Sequence, residues 1–225
     1  MYIKESSEKI KSVHYLWEGR INVYNARELP ENVNIDNVLE KVSSKVPTHF
    51  MKNIEAIYIG DFESLRVRRV DAVYQDGAIY ILPEFVIDED DLLDDLVHEI
   101  AHSLEESETL EIYGDGTVEN EFISKRIKMH ETLQAHNIEA PPLEAFMETE
   151  HSKALDSYFH ETVGYPTLAS LTSDIFISPY GATSLREYFA NSFEEYFTGN
   201  PQYVKNISPK VYNKIVQLSN LGEET

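Results

Sequence analysis

The sequence predicts an α+β fold: a small N-terminal β-sheet leading into one long helix, followed by a mainly helical C-terminal lobe. Three observations carry this. Short apolar runs punctuated by Gly and Pro occupy the region before residue 88. An acidic stretch at 88–95 then opens a long segment with apolar residues at helical spacing. Beyond residue 108 helical spacing dominates. At 225 residues the chain suits a single domain, 1–225, with lobes of about 1–107 and 108–225.

Element by element, Val13 to Trp17 and Ile21 to Tyr24 read as short strands. Asn34 opens a helix to about Val46, with Ile35, Val38, Leu39, Val42 and Val46 on one face and Pro47 as its stop. Ile54 to Ile59 is a short strand ended by Gly60. Val67 to Tyr74 and Ala78 to Leu82 flank Gln75-Asp76-Gly77, a hairpin signal because Gly accepts positive φ. The next helix runs from Asp88 to about Ser107, its first turn filled with carboxylates that the helix dipole favours. Leu92, Leu93, Leu96, Val97, Ile100 and Leu104 form its apolar stripe. A polar, acidic segment leads to a loop at Gly114-Asp115-Gly116, then a helix capped by Thr117 runs from Val118 to about His136 with Phe122, Ile123, Ile127, His130 and Leu133 on one face. Pro141-Pro142 breaks the chain, and helices follow over about 152–163 and 184–198 and after Pro209, with 165–183 irregular.

Composition narrows the function. Hydrophobic residues at 42% and aromatics at 11% describe a globular chain. A net charge of −21 repels phosphate backbones and argues against nucleic-acid binding. The acidic flanks of the Asp88 helix are read as solvated faces before they are read as attractants for basic peptides. There is no cysteine, so thiol catalysis and cysteine-ligated zinc are excluded. Met1 to Lys9 holds no apolar segment of signal-peptide length and no run reaches 18 apolar residues, so the expectation is a cytoplasmic chain with no membrane partner, leaderless secretion aside. No pattern specifies an oligomeric state.

The chemistry concentrates in His98-Glu99-Ile100-Ala101-His102. Histidines four apart lie one above the other on a helix, so both imidazoles reach one zinc ion at roughly 2.0–2.1 Å, and the intervening Glu reaches the water that the metal activates. By helical projection both histidines fall opposite the apolar stripe. A catalytic zinc needs a third protein ligand. The extended motif would place Gly at 105 and His at 108, and the chain has Glu105 and Glu108 there, so the ligand comes from elsewhere. The helix from Ser184 offers Glu187, Glu194 and Glu195. Glu187 also fits a capping box with Ser184, and Asn191 lies one turn after it, placed to orient a ligand histidine. The remaining histidines, His14, His49, His130, His136, His151 and His160, have no ligand spacing and read as structural. Ala78 to Leu82 is the candidate strand for pairing with an extended peptide, the alternative being an ordinary interior strand.

His98-Glu99-Ile100-Ala101-His102, followed by Tyr180 and then Glu187-Tyr188-Phe189-Ala190, resembles the protease domain of anthrax lethal factor and the related secreted Pro-Pro endopeptidases. The likeness spans about the last 140 residues. It implies a zincin-like, gluzincin-type fold and one Zn2+ per chain held by His98, His102 and Glu187. It also implies Glu99 as catalytic base and Tyr180, seven residues before Glu187, as a catalytic hydrogen-bond donor. Two positions depart from the family: Asn191 replaces the usual acidic residue, and Ile100 the familiar Phe. The expectation is a zinc-dependent endopeptidase acting on a peptide or protein substrate. The alternatives are a non-catalytic zincin-like peptide- or protein-binding module, in which Glu99 would have no purpose, and a metallohydrolase of a non-peptide amide.

Overall fold

The computed structural model describes residues 10–68 and 70–221, so the leader reading of Met1 to Lys9 lies outside the described residues. The chain divides into two compact units between Ser107 and Glu108. The class is α+β: a five-stranded mixed sheet and many helices.

The first unit holds the sheet. β1 (Ser12–Leu16) and β2 (Ile21–Asn25) form an antiparallel pair, and α1 (Ile35–Lys45) carries the chain over to β3 (Ala56–Ile59), parallel to β2. Asn34 caps α1 by accepting from the Asp36 N–H at 3.0 Å. α2 (Glu63–Arg68) leads to the hairpin of β4 (Ala72–Gln75) and β5 (Ala78–Ile81), and the order across the sheet is β1-β2-β3-β5-β4. Asp76 and Gly77 turn the hairpin at φ 51° and 80°, the two positive values of a type I′ turn. On one face Ile21, Val23, Ile57, Ile59, Ile79 and Ile81 are fully buried. On the other, Tyr24, Tyr58 and Tyr80 stack at 5.2 and 5.4 Å between ring centroids, and Phe62 and Leu65 pack with Tyr80.

Two expectations are corrected here. The strand expected at Val67 to Tyr74 is the end of α2 and then β4. Leu65 is the side chain that α2 buries, whereas Val67 is 75% exposed, so the apolar spacing that suggested a longer strand is not used. Ala78 to Leu82 is not an edge. β5 pairs in parallel with β3 (Ala56↔Ala78 through Ile59↔Ile81) and antiparallel with β4, which makes β4 the edge strand on this side of the sheet. All four residues of β5 and Leu82 after it are buried, as a strand with neighbours on both sides requires.

α3 (Glu89–Ser107) closes this unit and packs against α1 and β4. Asp88 caps it, its Oδ1 accepting from the N–H groups of Asp90 and Asp91 at 3.0 Å each. Glu89 ties it to α1, accepting from Lys41 Nζ at 3.2 Å and from the Asn34 N–H at 3.2 Å. The whole predicted stripe is buried, but burial is not confined to it: Glu99, Ala101, His102, Ser103 and Glu105 are buried as well.

The second unit is helical among its described residues. α4 (Thr109–Tyr113) lies within the polar, acidic segment, the loop at Gly114-Asp115-Gly116 stands as expected, and α5 (Thr117–Ala135) follows. Thr117 is not the cap. Gly116 holds that position at φ 69°, and Asp115 Oδ1 accepts from both the N–H and the Oγ1 of Thr117. The buried face of α5 runs Phe122, Arg126, Met129, His130 and Leu133, with Arg126 replacing the expected Ile123 and Ile127. Arg126 donates to the carbonyls of Ala145 and Glu148, and burial pulls it down to about 10. α6 (Leu143–Met147) is followed by α7 (Lys153–Ser157), which runs into a π-helical turn at Tyr158–Val163. α8 (Tyr165–Thr172) and a 3₁₀ turn, Tyr180–Ala182, order much of the stretch expected to be irregular. α9 (Leu185–Thr198), α10 (Pro201–Ile207) and α11 (Pro209–Leu221) complete the unit. No helix among the described residues is long and apolar enough to cross a membrane.

Candidate metal centre

Three of the five residues expected at the site come together on α3. One ligand atom each of His98, Glu99 and His102 lie within 4.8 Å of one another, and among the described residues this is the group with the geometry to hold a metal ion. The imidazole rings stand 5.0 Å apart at 78°. A helix delivers this because positions i and i+4 project from the same side, one turn apart.

Glu99 and His102 are each anchored from outside the motif. The N–H of Tyr74 on β4 donates to Glu99 Oε2. Pairing decides which way that N–H points. Leu82 N–H bonds Asp71 O at 2.8 Å and Gln75 pairs with Ala78, so alternate residues of β4 face β5 while Ala72 and Tyr74 face off the sheet edge. The Glu99 carboxylate is thus pinned to the outer rim of the edge strand and is 6% exposed. His102 Nδ1 lies 2.7 Å from Glu105 Oε2. One turn before Glu99, burial pushes the Asp95 carboxyl up to about 8, with the charges of Asp91, Asp71 and Glu99 adding to the rise and His98 opposing it.

Tyr180 and Glu187 belong to the second unit. Tyr180 opens the 3₁₀ turn and is 39% exposed. Its carbonyl accepts from the Thr183 N–H at 2.9 Å and Oγ1 at 2.7 Å. Gly181 fits the turn against α9, where a Cβ would lie 3.1 Å from Asn191 Oδ1. Asn191 is 9% exposed, and its Oδ1 has no hydrogen-bond partner among the described residues. Ser184 Oγ accepts from the Glu187 N–H at 3.2 Å, one half of the capping box. Burial first, then Asp156, then the Glu187 charge push the Tyr165 hydroxyl upward. Of the rival ligands, Glu195 accepts from the Asn200 N–H at 2.9 Å and so serves the end of α9. His14 pairs with Asp36 at 2.7 Å and His130 with the Pro141 carbonyl at 3.1 Å.

Sequence reasoning missed three features of this centre: the Tyr74 N–H, Asp95 and Glu105. Glu105 was legible, since it stands three residues after His102 on the same helix; the other two depend on a strand register and on burial. No protein-family model matches the chain, and no curated protein or solved structure shows significant similarity to it. The site itself is a His-Glu-His group able to hold a metal ion, with Glu99 buried and His98 half-buried.

Proposed function

We propose that the chain is a zinc-dependent endopeptidase with a zincin-like fold. The observation that carries this reading is the placement of Glu99, a carboxylate that shares the metal group with two imidazoles and is fastened to the edge strand of the sheet. A purely structural metal site has no use for such a group beside its ligands. Two imidazoles and a carboxylate, without cysteine, are a donor set suited to catalytic zinc, and one position is left open. In this reading His98, His102 and Glu187 hold the ion, Glu187 being assigned by its register after Tyr180 and by the Glu-Tyr-Phe-Ala segment it opens. Zinc bound there supplies Lewis acidity, which acidifies water and polarises a carbonyl.

The protein's own residues do the rest. An extended substrate pairs with the part of the β4 rim that Glu99 does not use, the outward groups of Ala72 and the Tyr74 carbonyl, which brings its backbone beside α3. Glu99, held by the Tyr74 N–H, takes a proton from the attacking water and returns it to the leaving amine. Tyr180 donates its hydroxyl to the carbonyl oxygen as negative charge develops, a contact worth about 3 kcal/mol. The test is Glu99→Gln, which keeps the shape and removes the base. Stoichiometric zinc with peptide turnover reduced about 10²- to 10⁴-fold is expected. Turnover near that of the wild type in zinc-loaded Glu99→Gln contradicts the assignment.

A further inference from the structure

We propose that Glu105 is a positioning residue for this centre, acting through His102. The inference rests on the metal reading above and adds to it a residue outside the ligand set. Glu105 Oε2 lies 2.7 Å from His102 Nδ1, and both side chains are rooted one turn apart on α3. The contact makes Nδ1 the protonated nitrogen, donating to the carboxylate, and leaves Nε2 as the nitrogen with a lone pair for a metal. It also fixes the ring's rotation, since the second nitrogen is tied down.

Two properties of Glu105 argue against a role in stability alone. It is 3% exposed, and burying a carboxylate costs free energy unless a partner compensates. It also stands in the last turn of α3, which ends at Ser107, where the helix dipole disfavours negative charge. Burial and dipole both disfavour a charge here, and the bond to His102 offsets that cost. Its return is the oriented, more basic imidazole.

The two roles make opposite predictions. Zinc affinity is measured by competition with a chromophoric chelator, and thermal unfolding is measured on the metal-free protein, for wild type, Glu105→Gln and Glu105→Leu. The positioning role predicts that Glu105→Leu, once folded, binds zinc about 10- to 100-fold more weakly, whereas a purely structural role lowers only the metal-free melting temperature. Glu105→Gln, which keeps an acceptor but no charge, falls between wild type and Glu105→Leu in affinity. If Glu105→Leu does not fold, the isosteric Glu105→Gln carries the test alone, with a weakened zinc affinity expected. Zinc affinity within twofold of the wild type in a folded variant overturns the role of Glu105 and leaves the metal reading standing. A wild-type chain that binds no zinc overturns both.

Discussion

Asp95 shows how much the α3 environment shapes single groups. Its carboxyl is held up at about 8 from an ordinary value of 3.8, by burial first and then by neighbouring carboxylates. A raised folded-state value means that the native protein keeps a proton the unfolded chain releases between about pH 4 and pH 8. Native stability therefore falls as pH rises through that window. Asp95→Asn removes the titrating group. In the metal-free protein the urea midpoint should drop less between pH 5 and pH 8 in Asp95→Asn than in the wild type, and equal pH slopes would show that Asp95 does not titrate in this range. Tyr180 carries a different kind of prediction. Tyr180→Phe deletes one donor from an exposed turn whose backbone bonds run through Thr183 and Ser178, so its melting temperature should stay close to that of the wild type. Turnover should fall about 10²-fold. A large loss of stability with unchanged turnover would make Tyr180 a structural residue.

β4 and α3 were unequally legible. The long helix is plain in the sequence because several local signals agree: Asp88 at the cap, carboxylates in the first turn and six apolar residues at helical spacing. The hairpin turn was equally plain from Asp76-Gly77. The flank of β4 reads as strand because Val67 and Val70 look like strand residues, yet Val67 lies exposed at the end of a short helix. The sequence leaves open whether Ala78 to Leu82 is an interior strand, because pairing order depends on the long-range contact between β3 and β5, which no local pattern encodes. That pairing order yields its own test. Proline is tolerated on an edge strand where the N–H points outward. Tyr74→Pro should fold but lose the bond to Glu99, and its turnover should be well below that of Tyr74→Ala, which loses the ring and keeps the N–H. Equal kcat in the two variants would show that the strand does not hold the base. Within α3, Leu96 is 1% exposed, and Leu96→Ala should cost about 2–5 kcal/mol of stability in denaturant unfolding.

Across the whole chain, legibility follows sequence distance. His98, Glu99 and His102 are read from five consecutive residues because helical geometry alone brings them together. Tyr180 and Glu187 lie about 80 residues later in the other unit, and only the resemblance linked them to the motif. Arg126 shows the same limit in the second unit, where a charge in the middle of a helix proved to be fully buried against distant carbonyls. The proposed zinc site therefore stands or falls on the long-range ligand. The deciding measurement is zinc content, by mass spectrometry, of the purified wild type and of Glu187→Ala. One zinc per wild-type chain, absent from Glu187→Ala, is the predicted result. Zinc retained in full without Glu187, or absent from the wild type, would contradict it.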